Sequence, residues 1–202
     1  MTLKIKKYFA SKYPEHEDLF LGLTTLNLLK PSSMPLSEAV VKVITGQMLS
    51  GVAAATIYKR ITTLRENRKL DHSWQLDFNS LRSCGLSSSK ANTVIEFGCY
   101  VAANEGEIDR WLMLSDDCLF NKIKSFRGMG EWSAGILALF YLARPDIFPT
   151  GDASLNKVIK FLNSKGQIKN LDYLFDPQKA KPYRSYLALY LWQALDQGKI
   201  KP

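Results

Sequence analysis

Histidine and cysteine are scarce in this 202-residue chain. The two histidines, His16 and His72, lie near no plausible nucleophile or second ligand, so a Ser-His-Asp triad or a His-rich metal site has few places to be built. Both read as surface residues. The three cysteines, Cys84, Cys99 and Cys118, are odd in number and widely spaced, which fits neither a disulfide framework nor a zinc knuckle and suggests a reducing cytoplasm. No apolar run reaches the length of a membrane span. The start, Met1 to Lys7, carries positive charge without an apolar run and cleavage site, so it does not read as a secretory signal. Acidic residues are outnumbered, 19 against 27 Lys and Arg, leaving a net charge of +8 and a pI near 9.3. That surplus points to a polyanionic partner, nucleic acid first and an acidic membrane surface second. Strand-like alternation, solenoid repeats and low-complexity tracts are also lacking.

Helical periodicity fills the chain instead. Leu19 to Leu29 carries an apolar face and predicts a helix that ends before Pro31. Ser37 to about Arg65 predicts two helical pieces or one kinked helix, interrupted by Gly46 and Gly51. Further helices are expected over Phe78 to Cys84, Lys90 to Ala103, Ile108 to Leu114, Cys118 to Phe126, Trp132 to Ala143, Ala153 to Leu162 and Tyr183 to Leu195. The fold class is therefore all-α.

Ile123 to Leu137 reads IKSFRGMGEWSAGIL, with apolar anchors at 123 and 126, glycines at 128 and 130, and the small Ala134 where two helices must approach. This is a helix–hairpin–helix pattern. Glycines permit positive φ and bring backbone N–H groups to a surface, and the following helix N-terminus adds partial positive charge, a combination suited to a DNA phosphate. A plain αα-corner with a glycine turn has the same pattern. Twenty residues beyond Trp132 comes Asp152, in FPTGDASL. An Asp before a helical run is by itself a preferred N-cap.

The hairpin, the Arg144 to Pro149 connection and the aspartate, in this order and spacing, resemble the helix–hairpin–helix DNA glycosylase superfamily. Within it the chain is similar to the 3-methyladenine DNA glycosylase II branch, the alkylbase glycosylases. ITGQMLSGVAAA over Ile44 to Ala55, LRSCGLSSSKA over Leu81 to Ala91 and KPYRSYLALYLW over Lys181 to Trp192 carry that likeness, which covers roughly residues 36 to 195. Tyr183 stands where Trp is usual and Glu131 where Pro or Arg is common, and the N-terminal β-domain of longer bacterial enzymes has no counterpart; these departures bear on base preference more than on chemistry.

The resemblance implies two helical lobes with a cleft between them: a helical barrel over 36–147 containing the hairpin, and a second lobe from 1–35 and 148–202. It implies a monofunctional glycosylase that flips alkylated purines out of double-stranded DNA and hydrolyses the N-glycosidic bond in base excision repair. Asp152 is the expected catalytic carboxylate, stabilising positive charge on the sugar. Trp132 and Trp192, with Tyr141 and Tyr183, are candidates for the base pocket, where electron-rich rings would hold a cationic base; core packing is the other use of such residues. Met48 is the candidate wedge into the base stack, beside Gln47, whose amide would reach the neighbouring base or backbone; otherwise Met48 is buried and Gln47 caps a helix. Backbone N–H groups at Gly128, Gly130 and Trp132, helped by Arg127, Lys90 and Ser154, are expected at phosphate, and Lys4, Lys6, Lys7, Lys157, Lys160 and Lys165 add salt-sensitive affinity. Trp132 occupies the position where bifunctional relatives carry a Schiff-base lysine, and the closely spaced C-terminal cysteines of iron–sulfur relatives are lacking. No cofactor or catalytic metal is expected, though a Na⁺ or K⁺ ion at the hairpin carbonyls fits the superfamily. The expected enzyme is a monomer of the cytoplasm, at the nucleoid in a bacterium or in the nucleus of a eukaryote, with no membrane partner. A glycosylase for neutral lesions such as hypoxanthine or ethenoadenine, and a non-catalytic DNA-binding module, remain the alternatives.

Overall fold

The computed structural model describes residues 2–165 and 174–202, and the side chains of residues 2 and 165 lie outside that description. The described residues form helices, 3₁₀ turns and connections, with no strand. The chain divides into two compact units, one of Pro31–Leu142 and one of Met1–Lys30 with Ala143–Pro202.

The 31–142 unit is built around a helix with a broad apolar face, interrupted by Glu38 and the exposed Lys42. This is α3, Leu36–Gly46, with Ala39, Val40, Val41, Val43 and Ile44 buried. Its one buried carboxylate, Glu38, accepts hydrogen bonds from the Ser73 N–H at 2.6 Å and the Tyr58 hydroxyl at 3.3 Å, so burial leaves it satisfied. The chain breaks after Gly46 and resumes as α4, Gly51–Asn67; of the two alternatives left by the sequence, two separate helices is the one found. Three short polar residues start the next helices by accepting from the third residue beyond: Asp77 for α5, Phe78–Ser83; Ser87 for α6, Ser88–Ala103; and Ser115 for α8, Asp116–Lys124. Between α6 and α8 lie the single turn α7, Glu107–Arg110, and a 3₁₀ turn at Trp111–Met113. Phe97, Tyr100, Trp111 and Phe126 meet in edge and tilted ring contacts of 5.0–6.4 Å and anchor α8 to α6. The unit ends in α9, Glu131–Phe140, shorter than the predicted Trp132 to Ala143; Ala143 has a φ of +54° that no helix continues through.

The other unit joins α1, Thr2–Lys12, and α2, Glu17–Gly22, to α10, Ala153–Lys165, and α11, Arg184–Asp196. Phe9, Phe20, Tyr13, Phe175 and Tyr190 form its aromatic centre. The predicted helix over Leu19 to Leu29 is corrected here: α2 stops at Gly22 and Leu23 turns extended at φ −82°, ψ 156°. The segment that follows has tertiary partners in place of helical ones. Leu26 and Leu29 donate their N–H groups to the Tyr190 and Tyr186 hydroxyls of α11, at 3.4 and 3.1 Å, and the Leu23 carbonyl accepts from Lys6 Nζ at 2.5 Å. Among the described residues no helix is long and apolar enough to cross a membrane.

Candidate active site and DNA interface

The hairpin between α8 and α9 has two glycines with different tasks. Gly128 has a φ of +81°, and a Cβ there would lie 2.8 Å from Thr93 Oγ1, so the turn excludes a side chain on two counts. Gly130 is extended, at φ −124° and ψ −166°, with no atom within 4 Å of where a Cβ would sit. It is the N-cap of α9 and brings no side-chain acceptor, leaving the positive end of the helix dipole open to an approaching anion. Arg127 is exposed beside it, at the edge of a recess of about 200 Å³ shared with Ser89, Asn92, Thr93 and Glu96.

The carbonyls of the turn are tied back into the unit. Thr93 Oγ1 lies 3.0 Å from the Arg127 carbonyl, and Gln47 Nε2 donates to the Gly128 carbonyl at 2.9 Å and to Ser133 Oγ at 3.0 Å. The Phe126 carbonyl accepts from the Met129 N–H at 3.1 Å. Each of these carbonyl oxygens keeps a second lone pair, and a carbonyl oxygen is the kind of donor a Na⁺ or K⁺ ion takes. Among the described residues no group of three or more His, Cys, Asp or Glu is arranged to hold a metal.

Gln47 is also part of the turn that joins α3 to α4. The Leu49 N–H bonds the Gly46 carbonyl at 3.3 Å, Gln47 has φ −52° and ψ 133°, and Met48 has φ +55°, the pattern of a type II turn with Met at the position that favours Gly. Met48 is fully exposed, which removes the alternative of a buried methionine. The expected reach of Gln47 towards DNA is revised, because its amide nitrogen is turned inward onto the hairpin. Lys90, expected at phosphate, has another place as well. Its ammonium donates to the Thr45 carbonyl at 2.9 Å and the Gln47 carbonyl at 2.6 Å, at the negative end of α3, and burial pushes its pKa down.

In the 1–30 and 143–202 unit, the Pro149 carbonyl accepts from the Asp152 N–H at 3.2 Å around Gly151, at φ +87°, and Asp152 then caps α10. Its Oδ1 accepts from the N–H groups of Ser154 and Leu155, both at 3.0 Å, and from Ser154 Oγ at 2.5 Å. Trp192, on α11, donates its indole N–H to Ser154 Oγ at 2.9 Å and lies 3.4 Å from Asp152 Oδ1. The structure thus brings Trp192 and Asp152 together, with Asp152 as the cap of α10. Ser154, expected at phosphate, instead points its hydroxyl at this pair. Tyr183 packs edge-on against Tyr8 and Tyr186, with centroids 5.5 and 6.4 Å away, and Tyr8 in turn meets Phe9 of the aromatic centre at 5.8 Å. Trp132 is half-buried in the first turn of α9, and Tyr141 is half-buried just past its end, where burial raises the phenol pKa. Thr93 and Ser133, which lock the hairpin and Gln47, were not singled out by sequence. The spacing of Lys90 and Thr93, three apart on one face of α6, was the available signal.

Two helices joined by a glycine hairpin, with an aspartate capping a later helix, are the features that the resemblance to the helix–hairpin–helix DNA glycosylases implies. Among solved structures the chain is similar to the Schizosaccharomyces pombe 3-methyladenine DNA glycosylase Mag1 in complex with abasic DNA, with a TM-score of 0.78 and 22% identity over 98% of this chain and 100% of that one. It is also similar to the 3-methyladenine DNA glycosylase of Archaeoglobus fulgidus, with a TM-score of 0.74 and 17% identity over 100% of this chain and 72% of that one. No family model matches the sequence. Curated relatives do: the alkylbase DNA glycosidase-like protein mag2 of S. pombe is 30% identical over 168 residues, 77% of this chain and 76% of that protein. DNA-3-methyladenine glycosylase 1 of the same yeast is 25% identical over 166 residues, 77% of this chain and 71% of its own length. The chain belongs to the family of the alkylbase, or 3-methyladenine, DNA glycosylases.

Proposed function

We propose that the chain is a monofunctional glycosylase that excises alkylated purines of the 3-methyladenine kind from duplex DNA. The observation that carries this reading is Asp152, whose Oδ1 is fixed by two backbone N–H groups and a hydroxyl beside the Trp192 indole. As the C1′–N bond breaks, the electron pair leaves with the base and positive charge develops on the sugar. A carboxylate already fixed in place stabilises that charge without reorganising. An N-alkylated purine is cationic in the DNA and departs as a neutral molecule, so little general-acid help is needed. Water then bonds to C1′ and gives up a proton, for which Asp152 is the acceptor in this reading.

Trp192, beside Asp152, would offer an electron-rich face to the extruded cationic ring, and the resemblance assigns Trp132 the same kind of contact. Met48, in the open on its strained turn, would occupy the place the base vacates. The Gly128 to Gly130 turn, with Arg127, would take a phosphate, and a Na⁺ or K⁺ ion on the hairpin carbonyls would add positive charge there. The +8 net charge supports work on chromosomal DNA, in a nucleoid or a nucleus. Trp132 has no amine, which supports hydrolysis without a sugar Schiff base.

The test is incubation with methylated duplex DNA, chromatography of the released bases, and borohydride treatment of a parallel sample. The expected result is free 3-methyladenine and no protein trapped on DNA. Failure to release any alkylated base would remove the proposal.

A further inference from the structure

A methionine at the third position of a type II turn is a costly choice. The left-handed region is natural to glycine, whereas a side chain there costs roughly 1–2 kcal/mol. Flipping the peptide between Gln47 and Met48 would relax the turn to type I and bring Met48 to negative φ, re-aiming its side chain. Whatever holds that peptide therefore decides where Met48 points.

Four hydrogen bonds made by two side chains hold it. Gln47 is pinned through its side chain to the Gly128 carbonyl and Ser133 Oγ of the hairpin. Lys90 Nζ then grips the carbonyl of the very peptide whose flip distinguishes the two turn types, Gln47 O at 2.6 Å, with Thr45 O at 2.9 Å as its second anchor. Charge-assisted bonds of this length are among the stronger ones a side chain makes to backbone. Burial of the ammonium, which depresses its pKa, strengthens the bonds further by keeping water from competing.

We propose that Lys90 is a positioning residue for base extrusion: it locks the Gln47–Met48 peptide in its type II orientation and so keeps the Met48 side chain presented to DNA. This rests on the glycosylase reading above. In that reading Lys90 acts through Met48, which matters where a base must be displaced from a stacked duplex and matters little in single-stranded DNA.

The experiment is single-turnover release of 3-methyladenine from one methylated DNA, assayed annealed and as separated strands, by wild type, Lys90→Met, Lys90→Arg, Met48→Ala and the Lys90→Met/Met48→Ala pair. Lys90→Met is expected to slow release from duplex by about tenfold, the worth of one charge-assisted bond, and to leave single-strand release within about twofold. Lys90→Arg, which keeps charge and donors, restores most of the duplex rate. The double variant is no slower than Met48→Ala alone, because both changes remove one device. Equal losses on the two substrates, multiplying losses in the double variant, an undiminished duplex rate or a Lys90→Met protein that does not fold would each overturn the proposal, since a lock on one turn predicts none of them. If wild type releases no base, the glycosylase reading falls separately. Lys90 is then scored by 2-aminopurine placed next to an abasic site in a duplex, whose brightening on binding Lys90→Met and Met48→Ala should reduce alike and multiplying or absent effects should refute.

Discussion

At the scale of single residues, the site depends on a few backbone angles that tolerate little substitution. Gly128 combines positive φ with a Cβ position only 2.8 Å from Thr93 Oγ1. Gly128→Ala should therefore cost about 1–3 kcal/mol, from αL strain and displacement of Thr93, measured as a lower urea midpoint with an unchanged slope. Gly130→Ala differs: with extended backbone and open space around it, stability should stay within about 0.5 kcal/mol while DNA affinity falls, because the added methyl stands where phosphate would approach. Met48 gives the opposite pairing. Met48→Gly relieves its φ of +55° and should raise stability by up to about 1 kcal/mol, seen as a higher melting temperature, and it should slow excision from duplex.

At the scale of elements, α10 separates the cap that Asp152 makes from the chemistry proposed for it. Asp152→Ala should lose the cap, about 1 kcal/mol by urea titration, whereas Asp152→Asn, an equally good cap, should retain nearly all stability. The helices themselves were legible because apolar periodicity and Ser or Asp starts are local signals; the helices Ser88–Ala103 and Ala153–Lys165 begin within two residues of expectation. The stretch after Gly22 was not legible, since its amides bond to Tyr186 and Tyr190, more than 150 residues away in sequence. The same reason separates the site residues. Asp152 stands out after a Pro-Thr-Gly turn at the head of a helix, a pattern of neighbours. The inward hydroxyl of Ser154, set by Trp192, and the grip of Lys90 on Gln47, 43 residues apart, exist only once the chain has folded.

At the scale of the whole molecule, the excess of Lys and Arg over acids makes attraction to DNA general before any lesion is met. Affinity for undamaged duplex should fall at least about tenfold between about 50 and about 200 mM salt, by fluorescence anisotropy, whereas single-turnover base release at saturating protein should change little. The single measurement closest to the central claim is base release from methylated duplex DNA by wild type and Asp152→Asn in parallel, with affinity for an abasic duplex read on the same preparations. Wild type should release 3-methyladenine, and Asp152→Asn should be slower by at least about a hundredfold with its DNA affinity and melting temperature kept. Equal release by both proteins would contradict the account, leaving Asp152 as the cap of a helix and the chemistry to another residue.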